Sequence, residues 1–248
     1  MPRAAIPFRI RAILPLGALL GLLLSAPTAL AAPASPAPRH GFGRGTSTNW
    51  SGYAVAGSGA THVLGTWTQP TASCAPGENS WSSPWVGIDG DTSNTVEQIG
   101  TDSDCQNGTP VYYAWYEMYP KKLVVVNLPG GVHANDSFTA EVTYTSGSFL
   151  LKLTKSNSPA ASFQTTQTAK RASRTSVEWV MEGPSNGLLT NFGSVSFTVL
   201  SASINNQSGN LGSFSNADPI TMVTSQGAPR AVPTLLSNTS FRVDWKHG

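Results

Sequence analysis

Charge is what this chain has least of. Asp, Glu, Lys and Arg together make up 11% of its 248 residues, against about 25% in an ordinary soluble domain. Three of the fifteen basic side chains, Arg3, Arg9 and Arg11, sit at the N-terminus, and without them twelve basic groups face thirteen acidic ones. A near-neutral chain without a Lys/Arg stripe has no electrostatic footprint for nucleic acid. Acid unfolding proceeds largely by protonating carboxylates that are paired in the native state, so a chain with few such pairs has little to lose in acid. Histidine is scarce too. His40, His62, His133 and His247 are scattered without ligand spacing, which argues against zinc, and neither metal nor cofactor is expected. Cysteine is limited to Cys74 and Cys105. In an exported protein two cysteines default to one disulfide, here holding the region from Trp81 to Gly100 and stabilising by about 2–4 kcal/mol.

Long apolar runs are nearly absent. The exception, Ile13 to Leu24, is broken by Pro15 and glycines and is shorter than the ~20 residues of a membrane span. It follows the three arginines and precedes Ala29-Leu30-Ala31, a small-x-small cleavage signal. Residues 1–31 therefore read as a secretory signal peptide. Residues 32–45, opening with the Pro/Ala/Ser-rich run Ala32 to Pro38, read as a linker or short pro-segment. Residues 46–248 form one domain with room for a real core. The expected product is secreted and monomeric, and free of membrane once the leader is cut.

Helical periodicity is also missing, apart from a possible turn around Lys170. Instead, short runs alternate apolar and polar residues: His62 to Thr68, Ser137 to Thr145, Gly147 to Thr154 and Val195 to Ile204. Pro129-Gly130-Gly131 and Ser208-Gly209-Asn210 read as turns between them, and Ala160 to Ser176 as a further strand pair. The fold class is all-β, a two-sheet antiparallel sandwich.

Chemistry-bearing residues concentrate in five segments: Asn49 to Tyr53 (NWSGY), Trp85 to Asp91 (WVGIDGD), Thr95 to Asp102 (TVEQIGTD), Tyr112 to Pro120 (YYAWYEMYP) and Ser176 to Gly183 (SVEWVMEG). Strand alternation sorts them by face. Tyr113, Trp115, Glu117 and Tyr119 share one face, and Tyr112, Ala114, Tyr116 and Met118 the other. Glu178, Val180 and Glu182 share a face, but four residues of strand separate the two glutamates by roughly 13 Å. That exceeds the ~5–9.5 Å at which two carboxyls flank a glycosidic bond, so they are not a dyad. Glu97 and Gln98 point to opposite faces, and only one of them can look toward Glu182.

These motifs, in this order and with Phe192-Gly193 following, resemble the glutamic peptidases, or eqolisins, over Thr48 to about Val199. WVGIDGD and AWYEMYP are the most specific of them. The resemblance implies an acid-acting endopeptidase on a sandwich of two curved antiparallel sheets, of concanavalin A-like or jelly-roll type, cutting protein or peptide substrates in a groove. It implies a catalytic pair, Gln98 and Glu182, with Trp85, Asp89, Trp115 and Glu117 lining the groove or supporting the pair. Two departures stand out. Tyr113 takes the place of an aspartate found in fungal members, which removes a carboxylate from the groove. Glu97 stands where an apolar residue is expected, and if it faces the core it must be paired or protonated.

The residue types suit peptide hydrolysis. A carboxylate with a pKa of ~4.3 can take a proton from water, and a glutamine amide can hold an oxyanion without repelling it. Three other readings compete. Glu182 could be a structural carboxylate capping the turn at Gly183-Pro184. The domain could be a peptide- or carbohydrate-binding module without chemistry. A two-carboxylate glycosidase would need Glu97, not Gln98, beside Glu182. Glu178 is expected to be structural or at the rim. The Asn-x-Ser/Thr sequons at Asn49, Asn107, Asn135, Asn206 and Asn238 are candidate glycosylation sites.

Overall fold

A computed structural model describes Pro38, Arg39 and residues 45–248. The expected signal peptide and most of the expected linker lie outside the described residues. The domain is built almost wholly of strands. In chain order they are β1 (Thr46–Ser47), β2 (Trp50–Ala56), β3 (His62–Thr68), β4 (Ser83–Ile88), β5 (Val96–Gln106) and β6 (Thr109–Tyr119). There follow β7 (Val124–Val126), β8 (Ser137–Thr145), β9 (Ser148–Lys155), β10 (Ser162–Thr168) and β11 (Ser176–Glu182). The last are β12 (Ser194–Ile204), β13 (Gln207–Gly209), β14 (Asp218–Val223), β15 (Pro229–Ser237) and β16 (Ser240–Trp245).

Hydrogen-bonded neighbours run β10-β9-β8-β3-β12-β16-β15-β14-β2-β11-β4-β5-β6-β7. Pairing along this path is antiparallel, and the short β1 joins β14 in parallel. β14 is the corner. It pairs with β15 on one side, with a register shift between Met222 and Val223, and with β2 on the other. The path thus falls into a first sheet, from β10 to β15, and a second, from β2 to β7.

The main core joins residues of both sheets: Val63, Trp67, Phe138, Phe149 and Phe197 from the first, Val86, Ile99, Val177 and Trp179 from the second. Indoles tie the layers by donating across them, Trp179 Nε1 to Leu64 O at 2.8 Å and Trp67 Nε1 to Thr101 Oγ1 at 3.0 Å. Strands of the first sheet alternate as their sequence does; β3 reads buried at Val63, Gly65 and Trp67 only. In the second sheet, β4 and β11 are buried at every position, because both of their faces are covered.

The expected strands agree closely with β3, β8, β9 and β12. Ala160 to Ser176 holds one strand, β10, rather than a pair, and Ala169 to Ala172 form a turn there. Ser208-Gly209-Asn210 is not the turn: Ser208 and Gly209 belong to β13, and the chain reverses at Asn205 and Asn206, both with φ of 57°. Asparagine tolerates that left-handed backbone, which makes it a turn signal as good as glycine. Cys74 and Cys105 form a disulfide, fastening the segment before β4 to the end of β5. Arg39, in the expected linker, is bound to the domain through Asp91 at 2.6 Å and Asp218 at 3.1 Å.

Candidate active site

The register of the second sheet sorts its side chains into rows across the strands. One row on the inner face reads Val55, Val177, Ile88, Glu97 and Met118 on β2, β11, β4, β5 and β6. The next row reads Tyr53, Trp179, Val86, Ile99 and Tyr116. The outer face carries a different set. Its first row is Ala54, Glu178, Gly87, Gln98 and Glu117, and its second is Gly52, Val180, Trp85, Gly100 and Trp115. A third begins Trp50, Glu182, Ser83, and on the neighbouring strands Asp102 faces Tyr113. Alternation thus puts Gln98 and Glu182 on one face and turns Glu97 to the other, as the sequence predicts.

The outer face has its own apolar cluster, including Trp50, Trp85, Trp115, Val180, Tyr113 and Ile220. Glycines make room for the indoles. A Cβ at Gly100 would lie 2.6 Å from Trp85 Cβ and 3.0 Å from Trp115 Cζ2, and one at Gly87 would lie 2.9 Å from Trp85 Cζ3. Trp50 and Trp85 meet edge to face at 5.0 Å, a favoured aromatic geometry.

Within this cluster Glu182, 6% exposed, is held by neutral donors. Trp85 Nε1 donates to its Oε2 at 2.9 Å and Asn49 Nδ2 to its Oε1 at 3.1 Å. The Gly183 amide, next in the chain, donates to Asn49 O. Gln98 is fully buried; its Nε2 donates to Glu117 Oε2 at 2.9 Å. Its Oε1 has no hydrogen-bond partner among the described residues. Glutamine has two amide hydrogens and a carbonyl with two lone pairs, so donor and acceptor capacity both remain for a ligand. Glu117, expected to line the groove or support the pair, accepts this bond from Gln98, its cross-strand partner.

Asp89 is a keystone of local structure. It adopts φ of 73° and accepts from the Arg174 and Thr175 amides at 2.7 and 2.8 Å, which fixes the end of β4 against the start of β11. Tyr113 does not empty this end of the face of carboxyls: its hydroxyl donates to Asp104 Oδ2 at 3.2 Å, and Asp102 lies opposite it. Beyond Tyr119 a cleft of about 1010 Å³ opens, lined in part by Tyr119, Pro120, Asp91, Thr95, Thr175 and Arg39.

Four carboxyls here are buried without a cation bonded to them among the described residues. Glu97 is completely buried, with neither oxygen hydrogen-bonded among the described residues. Burial, and then the charge of Asp89, push its pKa up to about 9, so it stands in the core as the neutral acid. Glu178 is not at the rim: it is completely buried and, chiefly through burial, held well above the usual carboxylate range. Asp102 is raised by burial to about 6, against the hydrogen bonds of Ser83, Tyr113 and Trp115 that lower it. Asp104 is raised well above its ordinary value by burial and by the charge of Asp102.

Sequence reasoning placed Asn49 in the first motif but gave it no part in the site. At 2% exposure and bonded to Glu182, it belongs to the site. Its place beside Trp50 in the first motif was the available signal.

Comparison with known proteins agrees with this architecture. Aspergillopepsin-2 of Aspergillus niger is 29% identical over 190 residues, covering 61% of this chain and 63% of that protein. Scytalidopepsin B of Scytalidium lignicola is 36% identical over 141 residues, covering 54% and 51%. The chain therefore matches only about half to three-fifths of the length of these curated relatives. Among solved structures, scytalido-glutamic peptidase with a transition state analog inhibitor superposes with a TM-score of 0.67 at 24% identity, over 80% of this chain and 98% of that one. Aspergilloglutamic peptidase from Aspergillus niger superposes with a TM-score of 0.57 at 26% identity, over 67% and 99%. These are eqolisin sandwiches, and the fold is shared. The peptidase A4 family matches residues 48–245, and with that span the chain belongs to the peptidase A4 family.

Proposed function

We propose that this chain is a secreted, metal-independent endopeptidase that works in acid on protein or peptide substrates, with Glu182 as general base and Gln98 as oxyanion donor. The observation that carries the reading is the outer face itself. It holds a carboxylate oriented by two neutral N–H donors, and on the same face a buried amide with bonding capacity to spare. In the proposed reaction Glu182 takes a proton from a water molecule, which attacks the scissile carbonyl. An amide N–H of Gln98 stabilises the oxyanion, and protonated Glu182 returns the proton to the leaving amine. Trp85 and Asn49 fix the carboxylate without neutralising it, and Glu117 fixes the amide. The glycosidase reading loses its premise, because Glu97 lies on the opposite face from Glu182.

The test is cleavage of a denatured protein across pH 2–7, with and without a chelator. Glu182→Gln is expected to abolish cleavage while the β-sheet circular dichroism persists. Gln98→Ala is expected to lose about 10²–10³ in rate, the usual cost of one oxyanion donor. Full activity in Glu182→Gln would refute the assignment. Binding of peptide without any cleavage would favour a binding module.

A further inference from the structure

Two carboxyls of the outer face have no part in the chemistry above. Asp102 and Asp104 lie on β5, 2% and 0% exposed, on the face that carries Gln98. Asp102 Oδ1 accepts from Trp115 Nε1 at 2.9 Å and from Ser83 Oγ. Asp104 accepts from the Ser82 amide and the Tyr113 hydroxyl, each at 3.2 Å. Ser83 of β4 and Ser82 just before it thus present a hydroxyl and an amide to the two acids, and β6 a phenol and an indole. The same outer face carries Glu182 on β11, across from Ser83, and Glu117 on β6, across from Gln98. None of the described partners is a cation. Two acids sharing such a site do not both ionise readily, and they titrate as a unit.

The pair is connected to Glu182. Ser83, which bonds Asp102, is the cross-strand partner of Glu182. The strands of Glu182 and Asp102 flank β4, which at ordinary strand spacing separates them by ~10 Å. The two indoles that hold these carboxyls, Trp85 on Glu182 and Trp115 on Asp102, both pack against Gly100.

We propose that Asp102 and Asp104 are a positioning pair for the reaction. While Asp102 keeps its proton, the pair leaves the neighbourhood of Glu182 free of a second negative charge; loss of that proton sets the upper pH limit of cleavage. A new charge at ~10 Å, at an effective dielectric of about 20, displaces the titration of a neighbour by on the order of one pH unit. It also opposes the oxyanion that the reaction must form. The proposal rests on Glu182 being the base. The raised pKa values of both acids agree with it.

The experiment is a kcat–pH profile from pH 2 to 8 for wild type, Asp102→Asn and Tyr113→Phe. Circular dichroism at each pH separates lost activity from lost fold. Asp102→Asn keeps the acceptor for Trp115 and Ser83 but cannot ionise. It is expected to retain acid activity and to extend the upper limb by about one unit or more. Tyr113→Phe removes a donor that favours ionised Asp104, and is expected to move the limb upward by a smaller amount. It decides the matter if Asp102→Asn does not fold. Upper limbs that superpose on wild type overturn the proposal. A second readout does not depend on catalysis. In the NMR spectrum of wild type, the Trp115 indole N–H is expected to step near pH 6 and the Trp85 indole to follow the same step. If neither indole steps there, the pair is refuted. If both step in a protein that shows no Glu182-dependent cleavage, the pair stands and the peptidase assignment fails.

Discussion

The two faces of the second sheet are made by alternate residues of the same strands, and they do opposite work. On β11 the inner face takes Val177, Trp179 and Met181 into the main core, while the outer face takes Glu178, Val180 and Glu182. Both are buried. The inner face is mostly apolar, with Glu97, Ser51, Thr101 and Ser103 as its buried polar residues, and there burial is the main stabilising term. The outer face alternates indoles with carboxyls and amides, and its N–H groups are aimed at oxygens. Burial there fixes the state and direction of polar groups. Equal burial therefore says little about role. What distinguishes a site from a core is which polar atoms are held in place and whether they keep unused bonding capacity.

The largest effect that sharpens this contrast comes from paired tryptophan substitutions. Trp179→Ala on the inner face removes a fully buried side chain and its bond to Leu64, and is expected to cost about 3–5 kcal/mol in urea unfolding. Trp85→Phe on the outer face keeps most of the packing but removes the donor to Glu182. It should leave stability within about 1–2 kcal/mol and lower kcat on the order of tenfold. Equal stability losses with no difference in kcat would erase the distinction between the faces.

Next in size is the dependence of stability on pH. Glu97, Glu178, Asp102 and Asp104 all hold protons more tightly in the folded chain than their ordinary values allow. The folded state therefore binds more protons than the unfolded state from about pH 4 upward, and stability falls as pH rises through that range. Their contribution is complete below about pH 4. For Glu97, with its pKa near 9, the loss by pH 7 is on the order of 3 kcal/mol. Asp136 has the opposite sign. Burial raises it, but Lys155 at 2.7 Å and the His133 amide outweigh that and leave it lowered, so its share is lost only in stronger acid. Unfolding free energies at pH 4 and pH 7 should differ in favour of acid. Glu97→Gln should reduce the difference, whatever its effect on stability at either pH. A wild type that is more stable at pH 7 would contradict the burial of neutral acids in this core.

The smallest expected effect is at Asn49. Asn49→Ala removes one donor to Glu182 and keeps that of Trp85; it should lower kcat severalfold, with thermal stability reduced by about 1–2 kcal/mol. An unchanged kcat would reduce Asn49 to a packing residue.

Much of this was legible in the sequence, for a specific reason. Period-two alternation is a local property, so it placed Gln98 and Glu97 on opposite faces and separated Glu178 from Glu182 before any fold was known. It also marked β3 and β8 to the residue, because one face of each meets the core and the other meets solvent. β13 and the turn at Asn205-Asn206 were misread because a glycine was preferred as the turn residue over paired asparagines. The partner of Glu117 was not legible, since it depends on which strands are neighbours and in what register. The same holds for Asn49. Nothing local to NWS says that its amide reaches a carboxylate 133 residues later.

The sequence by itself determined an all-β chain, a pairing of two cysteines, and the residue types of the proposed site, because strand periodicity and side-chain chemistry are written locally. The tertiary structure decided the rest. The register of β11, β4, β5 and β6 set which polar groups share a row, and the packing of two sheets set which of them lose water. Those two facts turn Glu97 into a neutral core acid, give Glu182 its indole and amide donors, and bring Asp102 and Asp104 together. Each of these outcomes depends on contacts between strands far apart in the chain, and no local pattern can encode them.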